Sequence, residues 1–351
     1  MRRNPTVADV ARLAKVSPIT VSRVLHNHPS VSPALREAVT KAIEELGYRP
    51  NMVARELRNT RSRNIGVVMP DLAYYAYWDS LRSIESYAEL NGYAVFLGDS
   101  ARDPAREQAL LERSLERRVA GLIVHLIDQT PAIVTRISAE NIPIVSLGSQ
   151  EITGEGPILR LPIDIRDSLD SAIRRLHELG HVHIGVCTSQ GSYLQRERLQ
   201  IVQTQAVERE LRLSVFSFGP DAPQAEGLAA AFEIPNPLTA VLVLDSDLTP
   251  LVLAGLADAN VPIPEDVSVV TVGHSHWLQA FRPALAVVRS AIHPRGLFAI
   301  RQLLAMIEGR PIETPPLFRT EFIENDSLGP APRRAAAIAS ATALPRTPLP
   351  T

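Results

Sequence analysis

From Ile65 to about residue 328 the chain alternates between short apolar, β-rich runs and amphipathic stretches of helical length. The runs read IGVVM, AVFLG, GLIVH, IPIVSLG, HIGVC, AVLVLD and VSVVTVG, and stretches such as residues 81–90 and 105–118 stand between most of them. A strand that is apolar along its whole length must be covered on both faces, and a connection of helical length returns the chain to start a parallel neighbour. The expected body is therefore α/β with parallel sheets. A helix–Gly–strand succession occurs once in each half, as AELNGYAVFLG and HELGHVHIGVC, which predicts two similar lobes. Ligands of such sheets sit at the carboxyl ends of the strands, here between the lobes.

The segment before residue 64 follows a different rule. Thr6 with Asp9 has the form of a helix start, and Val7, Val10, Ala11 and Ala14 recur at helical spacing. A second start is Ser17 with Pro18 in the first helical position, followed by Val21, Val24 and Leu25. A third helix opens at Ser32-Pro33, carries Leu35, Val39, Ile43 and Leu46, and stops at Gly47. Three short helices predict a helix-turn-helix head. The second would enter a major groove, with Pro18, Ile19, Thr20 and Arg23 on the exposed edge; a three-helix bundle that binds protein fits the same pattern.

Charge separates the two parts. The first 63 residues hold twelve Lys/Arg against five Asp/Glu, out of 36 and 38 in all, so a basic head precedes an acidic body. A polyanion would be drawn to the head and repelled by the rest. At 351 residues the chain exceeds one ordinary core, and 45% apolar with 5% aromatic residues suits an aliphatic α/β protein. The single cysteine, Cys187, leaves no intrachain disulfide framework. With no apolar signal-type segment at the N-terminus and no apolar run long enough to span a bilayer, a cytoplasmic protein without a membrane role is expected.

The pattern T-x-x-D-V-A-x-x-A-x-V-S-x-x-T-V-S-R-V-L over residues 6–25, with G-Y-x-P-N-x-x-A-R-x-L over residues 47–57, closely resembles the lactose-repressor/galactose-repressor family of bacterial transcription regulators. The likeness continues more weakly to about residue 328. It implies an all-α head over residues 1–49 and a hinge helix within residues 50–63. A two-lobed, periplasmic-binding-protein-like body over residues 64–328 follows, with several crossovers between discontinuous lobes. It also implies DNA contacts from Thr6, Ser17, Pro18, Ile19, Thr20, Ser22, Arg23, His26 and Ser32. The hinge would add Asn51, Ala54, Arg55, Leu57 and Arg58, with Leu57 as an apolar wedge in the minor groove. Arg61 and Arg63 would add phosphate contacts, which position without specifying. Read without the resemblance, Leu57 is as well explained by a linker leucine packed on the body. Residues 329–351, rich in Ala and Pro and without heptads, read as a disordered tail.

The cleft keeps part of the family's pattern and departs from the rest. Arg198 matches an effector-holding arginine, and its forked donors suit paired hydroxyls or a carboxylate. Where the family has P-D-x-x-N-P-F-F this chain has PDLAYYAYW; A-N-D becomes Leu244, Asp245 and Ser246; and G-F-D-D becomes Thr271, Val272, Gly273 and His274, which loses an aspartate that commonly binds a sugar. The candidate effector-binding set is Tyr74, Tyr75, Tyr77, His125, Arg198, Asp245 and His274, for a sugar-like or other polar metabolite. The pairs His181/His183 and His274/His276 lack further ligands for a metal. Ser192, Asp245 and His274 form no triad signature, and no phosphate or dinucleotide loop is present. No enzyme, cofactor, metal or catalytic residue is expected.

The expected function is a sequence-specific DNA-binding regulator, a repressor, acting as a homodimer on a pseudo-palindromic operator under control of a small-molecule effector. Two other readings stay open: a small-molecule receptor of periplasmic-binding type without a DNA role, and a DNA-binding regulator governed by a protein partner or by no effector.

Overall fold

The computed structural model describes residues 5–25, 31–48, 62–72, 74, 77–127, 132–190, 193–219, 237–273, 278, 280–290 and 292–332. The chain divides into two compact units, residues 1–62 and 63–351.

In the first unit, helix α1 (Val7–Leu13) is closed at its start by Thr6: the Thr6 hydroxyl accepts from the Asp9 amide, and the Asp9 carboxylate accepts from the Thr6 amide at 2.9 Å. Two amides that the helix leaves without partners are thereby satisfied. Helix α2 (Pro18–Leu25) follows, and α3 (Pro33–Leu46) starts at Ser32, whose hydroxyl accepts from the Leu35 amide. The chain leaves α3 through Gly47 at φ 59°, a left-handed conformation that a side chain disfavours. Val10, Ala11, Val21, Val24, Val39, Ala42 and Tyr48 make the small core where the helices meet. The expected head is present, and each helix starts at its expected hydroxyl.

The second unit is a pair of sheets. The strands β1 (Asn64–Met69), β2 (Ala94–Asp99), β3 (Gly121–Val124), β4 (Ile144–Ser146) and β5 (Ile158–Arg160) form one parallel sheet in the order β2-β1-β3-β4-β5. Helices α4 (Trp78–Leu90), α5 (Pro104–Glu116) and α6 (Ala132–Ala139) make the returns. The second sheet holds β6 (Ile163–Asp164), β7 (His183–Ser189), β8 (Arg212–Phe218), β9 (Ala240–Val243), β10 (Ser268–Val272), β11 (Ala286–Ser290) and β12 (Phe318–Ile323), ordered β6-β12-β11-β10-β9-β7-β8. Its helices are α7 (Arg166–Glu178), α8 (Tyr193–Glu208) and α9 (Thr249–Asp258). All its pairings are parallel except β11 with β12. Each sheet is covered on both faces by separate apolar clusters, as expected for strands without a solvent side.

The lobes exchange chain repeatedly. After β11 in the second lobe, α10 (Ile292–Ile307) returns to the first, where Ala299, Ile300, Leu303 and Leu304 share a core with Ile65, Ile84 and Ile123. The chain then recrosses into β12, where Phe318 belongs to that same core while β12 pairs with β11. The expected discontinuity of the lobes is thus seen directly.

The end of the body differs from the sequence reading. Gly329 to Ala331, expected in a disordered tail, are held on the body: the Gly329 carbonyl lies 3.0 Å from His181 Nε2, and the Ala331 amide donates to the Leu179 carbonyl at 2.8 Å. A buried imidazole needing a partner holds these residues down; residues 333–351 lie outside the described residues. The same contacts explain His181, which also meets Thr239 and Ser268, while His183 meets Ser214. Both are core histidines, and His274 and His276 lie outside the described residues. Among the described residues no group of His, Cys, Asp or Glu is arranged to hold a metal, and no helix is long and apolar enough to cross a membrane.

Helix α10 approaches α4 closely at Gly296, where an added Cβ would fall 2.5 Å from the Ser80 Cα and 2.7 Å from its carbonyl oxygen. Backbone cannot yield as a side chain can, so Gly296→Ala is expected to destabilise the body by about 1–3 kcal/mol. Urea unfolding checks this, with the head's α-helical signal as internal reference.

Candidate functional site

Among the described residues two places are candidates for recognising another molecule, one in each unit. In the head, the Ser17 hydroxyl accepts from the Thr20 amide at 3.1 Å and lies 3.0 Å from the Thr20 hydroxyl, fixing the first turn of α2. Val21 and Val24 face the core, which turns Pro18, Ile19, Ser22 and Arg23 outward. Ile19 is 66% exposed, an apolar side chain held in water at the start of a helix. Thr6, Ser17 and Ser32 all serve as helix caps, so their hydroxyls mark the three helix starts, where amides and the helix dipole favour an anion. His26, Asn51, Ala54, Arg55, Leu57, Arg58 and Arg61 lie outside the described residues. Arg63, expected as a phosphate contact, stands over the Tyr93 ring of the body, 5.8 Å from its centroid.

In the body, the strand ends converge on the cleft between the lobes. Tyr74 and Tyr77 follow β1, His125 follows β3, Leu147 follows β4, Leu244 and Asp245 follow β9, and Gly273 follows β10. Tyr74 and Tyr77 stand edge to face at 5.2 Å, and Tyr77 meets His125 in the same way at 5.3 Å. A chamber of about 710 Å³, counting the space open to solvent, lies against these rings, with Arg198 and Arg295 entering from α8 and α10 and Leu147, Ile163, Ile165, Val272 and Val288 forming much of its wall. Gly273, at φ 141°, is required here: a Cβ would come within 2.6 Å of the Ser246 hydroxyl and 3.3 Å of the Tyr74 hydroxyl.

A second, smaller chamber on the other side of the tyrosines is lined by Asp71, Arg102, Gln195 and Asp245. Its charges are answered within the protein. Asp245 is buried and accepts from Ser189 at 2.8 Å and Gln195 at 3.1 Å; Arg102 bonds Asp71 at 3.1 Å and Ser189 at 3.2 Å, and lies 3.7 Å from Asp245. Arg102 leaves the first lobe and reaches the second, so this network ties the two together.

The candidate effector residues therefore divide. Tyr74, Tyr77, His125 and Arg198 share the larger chamber, Asp245 belongs to the smaller, and Tyr75 and His274 lie outside the described residues. Arg295 and Arg102 were not singled out by the sequence reading. The signal for Arg295 is periodicity: with Ala299 and Leu303 it forms an i, i+4, i+8 stripe on α10, and a charge on a buried stripe needs a reason.

Burial sets the protonation of the chamber. The Tyr74 and Tyr77 hydroxyls are pushed up by desolvation and stay neutral. Cys187, buried within β7, is pushed up to about 12, so it is no ready nucleophile. His125 is lowered to about 3, first by burial and then by the charges of Arg295 and Arg198. A base whose folded pKa lies below its unfolded value of about 6.5 binds fewer protons folded than unfolded. Its contribution is complete above that value and is lost as pH falls from there toward 3. Between pH 7.5 and pH 5 His125 should thus cost the body about 2 kcal/mol. That difference should be missing in His125→Gln, compared with wild type by urea unfolding at the two pH values.

Residues 6–51 match the family of bacterial regulatory proteins called the lacI family, and residues 173–328 match a periplasmic binding protein-like domain. Catabolite control protein A of Staphylococcus epidermidis is 27% identical over 322 residues, covering 91% of this chain and 97% of that protein. Its Staphylococcus xylosus counterpart is 28% identical over the same shares. Among solved structures, the lac repressor dimer bound to operator and the anti-inducer ONPF superposes with a TM-score of 0.78 at 22% identity, covering 93% of this chain and all of that one. The transcriptional regulator CelR in complex with cellobiose gives 0.63 at 25% identity, covering 92% and 99%.

Proposed function

We infer, for a chain that belongs to the lacI family of bacterial regulatory proteins and joins its DNA-binding head to a periplasmic-binding-protein-like body, that it is an operator-specific repressor controlled by a small molecule. The observation that carries the DNA part is the start of α2. A capped, rigid first turn presents Pro18, exposed Ile19, Thr20 and Arg23 together, and an exposed isoleucine there has a use if it packs on a thymine methyl. Thr6, Ser17 and Ser32 then serve as phosphate contacts at helix starts, and Ser22 from the outer face of α2; His26 is added from the sequence alone. The hinge residues Asn51, Ala54, Arg55, Leu57 and Arg58 complete the interface, Leu57 as the minor-groove wedge. The lac repressor structure named above is a dimer bound to its operator, which supports the same arrangement here.

A homodimer is favoured by the outer strands of the body. β2 and β8 are each the edge of their own sheet, and they leave Leu97 and Val215 exposed, with Leu90 and Val207 exposed on neighbouring helices. Unpaired edges with apolar side chains are normally covered. Two heads held by such a dimer would read a pseudo-palindromic site. The protein acts in the cytoplasm, where its DNA is, and as a regulator like its relatives, not as an enzyme.

Effector control rests on the cleft. A ligand that binds one arrangement of the lobes better than another shifts the protein toward it, by no more than the difference in affinity. Tyr74, Tyr77, His125 and Arg198 are the proposed contacts, with Asp245 holding the neighbouring network; Tyr75 and His274 are added from the sequence alone.

Selection of DNA from random sequence by the full chain tests the first part. Ile19→Gln is expected to change the preferred bases at one position of each half-site. Arg23→Ala should weaken all sites alike and reduce the slope of affinity against salt by about one. Identical selected sequences from wild type and Ile19→Gln would remove α2 from the groove. For the cleft, Arg198→Ala should keep dimerisation and operator binding while losing about ten-fold or more in the response to small molecules that release wild type from operator, read by titration of the complex.

A further inference from the structure

The larger chamber has an electrostatic imbalance. Arg198 is 8% exposed and Arg295 5% exposed, and both line the cavity. Each is anchored by a single bond to a backbone carbonyl, Arg198 to Leu244 at 2.6 Å and Arg295 to Leu147. Among the described residues no carboxylate pairs with either guanidinium, and the Nε of each is buried without a partner, as is Nδ1 of His125 in the same lining. The described lining contains no Asp or Glu at all. Both arginines act on the same two groups, His125 and Tyr77, so their fields overlap within the chamber.

A buried cation without a counter-ion is costly, and a pair that shares one cavity adds mutual repulsion. Neighbouring charges in this cleft are matched: Arg102 has Asp71 and Asp245. The contrast points outside the protein. Resting on the effector reading given above, we propose that the effector is a small organic acid, its carboxylate held between Arg198 and Arg295 and its apolar body set against Leu147, Ile163, Ile165, Val272 and Val288. The carboxylate supplies acceptors for the two guanidinium groups, and for His125 in the tautomer that carries its proton on Nδ1. A neutral polyol would find donors and no carboxylate to receive its hydroxyl protons. Burial already lowers Arg295 to about 10, the response of a cation short of a partner. Arg295 is the specificity-determining residue in this arrangement, because Arg198 alone would accept hydroxyls as readily as an acid.

The experiment uses the full chain and a fixed panel: benzoate, 4-hydroxybenzoate, succinate and glutarate, each beside its amide, together with phenyl phosphate, glucose and ribose. Thermal stability and release from operator are read for each. An acid should raise the melting temperature and alter operator binding, and its amide should bind about ten-fold or more weakly. Arg295→Met, of similar length and apolar, should lose about the same factor for the acid, keep operator binding, and be at least as stable as wild type without ligand. Arg295→Lys should retain part of the affinity. Phenyl phosphate binding in preference to every carboxylate would replace the carboxylate by a phosphate and overturn the proposal as stated. Acid binding that survives Arg295→Met unchanged overturns it, as does silence of all the acids. Should a neutral sugar release operator while no acid binds, the proposal falls and effector control stands. If nothing in the panel perturbs the operator complex, both fall.

Discussion

A parallel strand cannot reach its neighbour by a tight turn, and the body follows from that. Each return has to cross a face of the sheet, so helices α4 to α10 cover both faces and the strands become apolar throughout. Every strand of the first sheet then points its carboxyl end the same way, and so do β7, β9 and β10 in the second. The residues just beyond those ends are freed from pairing and meet at the cleft. Tyr74, His125, Leu147, Asp245 and Gly273 are neighbours for this reason, although two hundred residues of chain separate the first from the last.

The cleft handles charge in two ways. On one side Arg102, Asp71, Asp245, Ser189 and Gln195 satisfy one another across the lobes, which fixes their relative position at the cost of ordering long side chains. On the other side two guanidiniums face a largely apolar chamber with most of their donors unused. The first arrangement is complete without a ligand and the second is not. A molecule entering the larger chamber would touch residues of both lobes, since Tyr74 and His125 come from the first lobe and Arg198 and Val272 from the second. That is the geometry through which binding can favour one lobe arrangement over another.

The head is organised by local rules alone. Thr6, Ser17 and Ser32 each close a helix within four residues of themselves, and a handful of aliphatic side chains bury the rest. A unit so small gains little from its core, so caps and turns carry an unusual share of its stability. The outer face of α2 is consequently free to vary: Ile19 and Arg23 contribute nothing to the core that Val21 and Val24 make.

What the sequence determined by itself is what short-range physics can dictate. Helix starts at Thr6, Ser17 and Ser32, the stop at Gly47, and the runs that became β1, β2, β3, β4, β7, β9 and β10 were legible because caps and apolar runs are local. β5, β6 and β8 escaped notice because they are short or mixed in character at the sheet margins, and β12 because it is half-exposed and antiparallel to β11. Tyr74, Tyr77, His125 and Arg198, proposed from strand ends and resemblance, line one chamber, whereas Asp245 belongs to a separate charged network. Only the tertiary structure decided that α10 returns to the first lobe, and with it that Arg295 stands opposite Arg198 in the chamber. No local rule could show this, since a charge on a helix stripe becomes a buried, unpaired charge only when distant segments close around it.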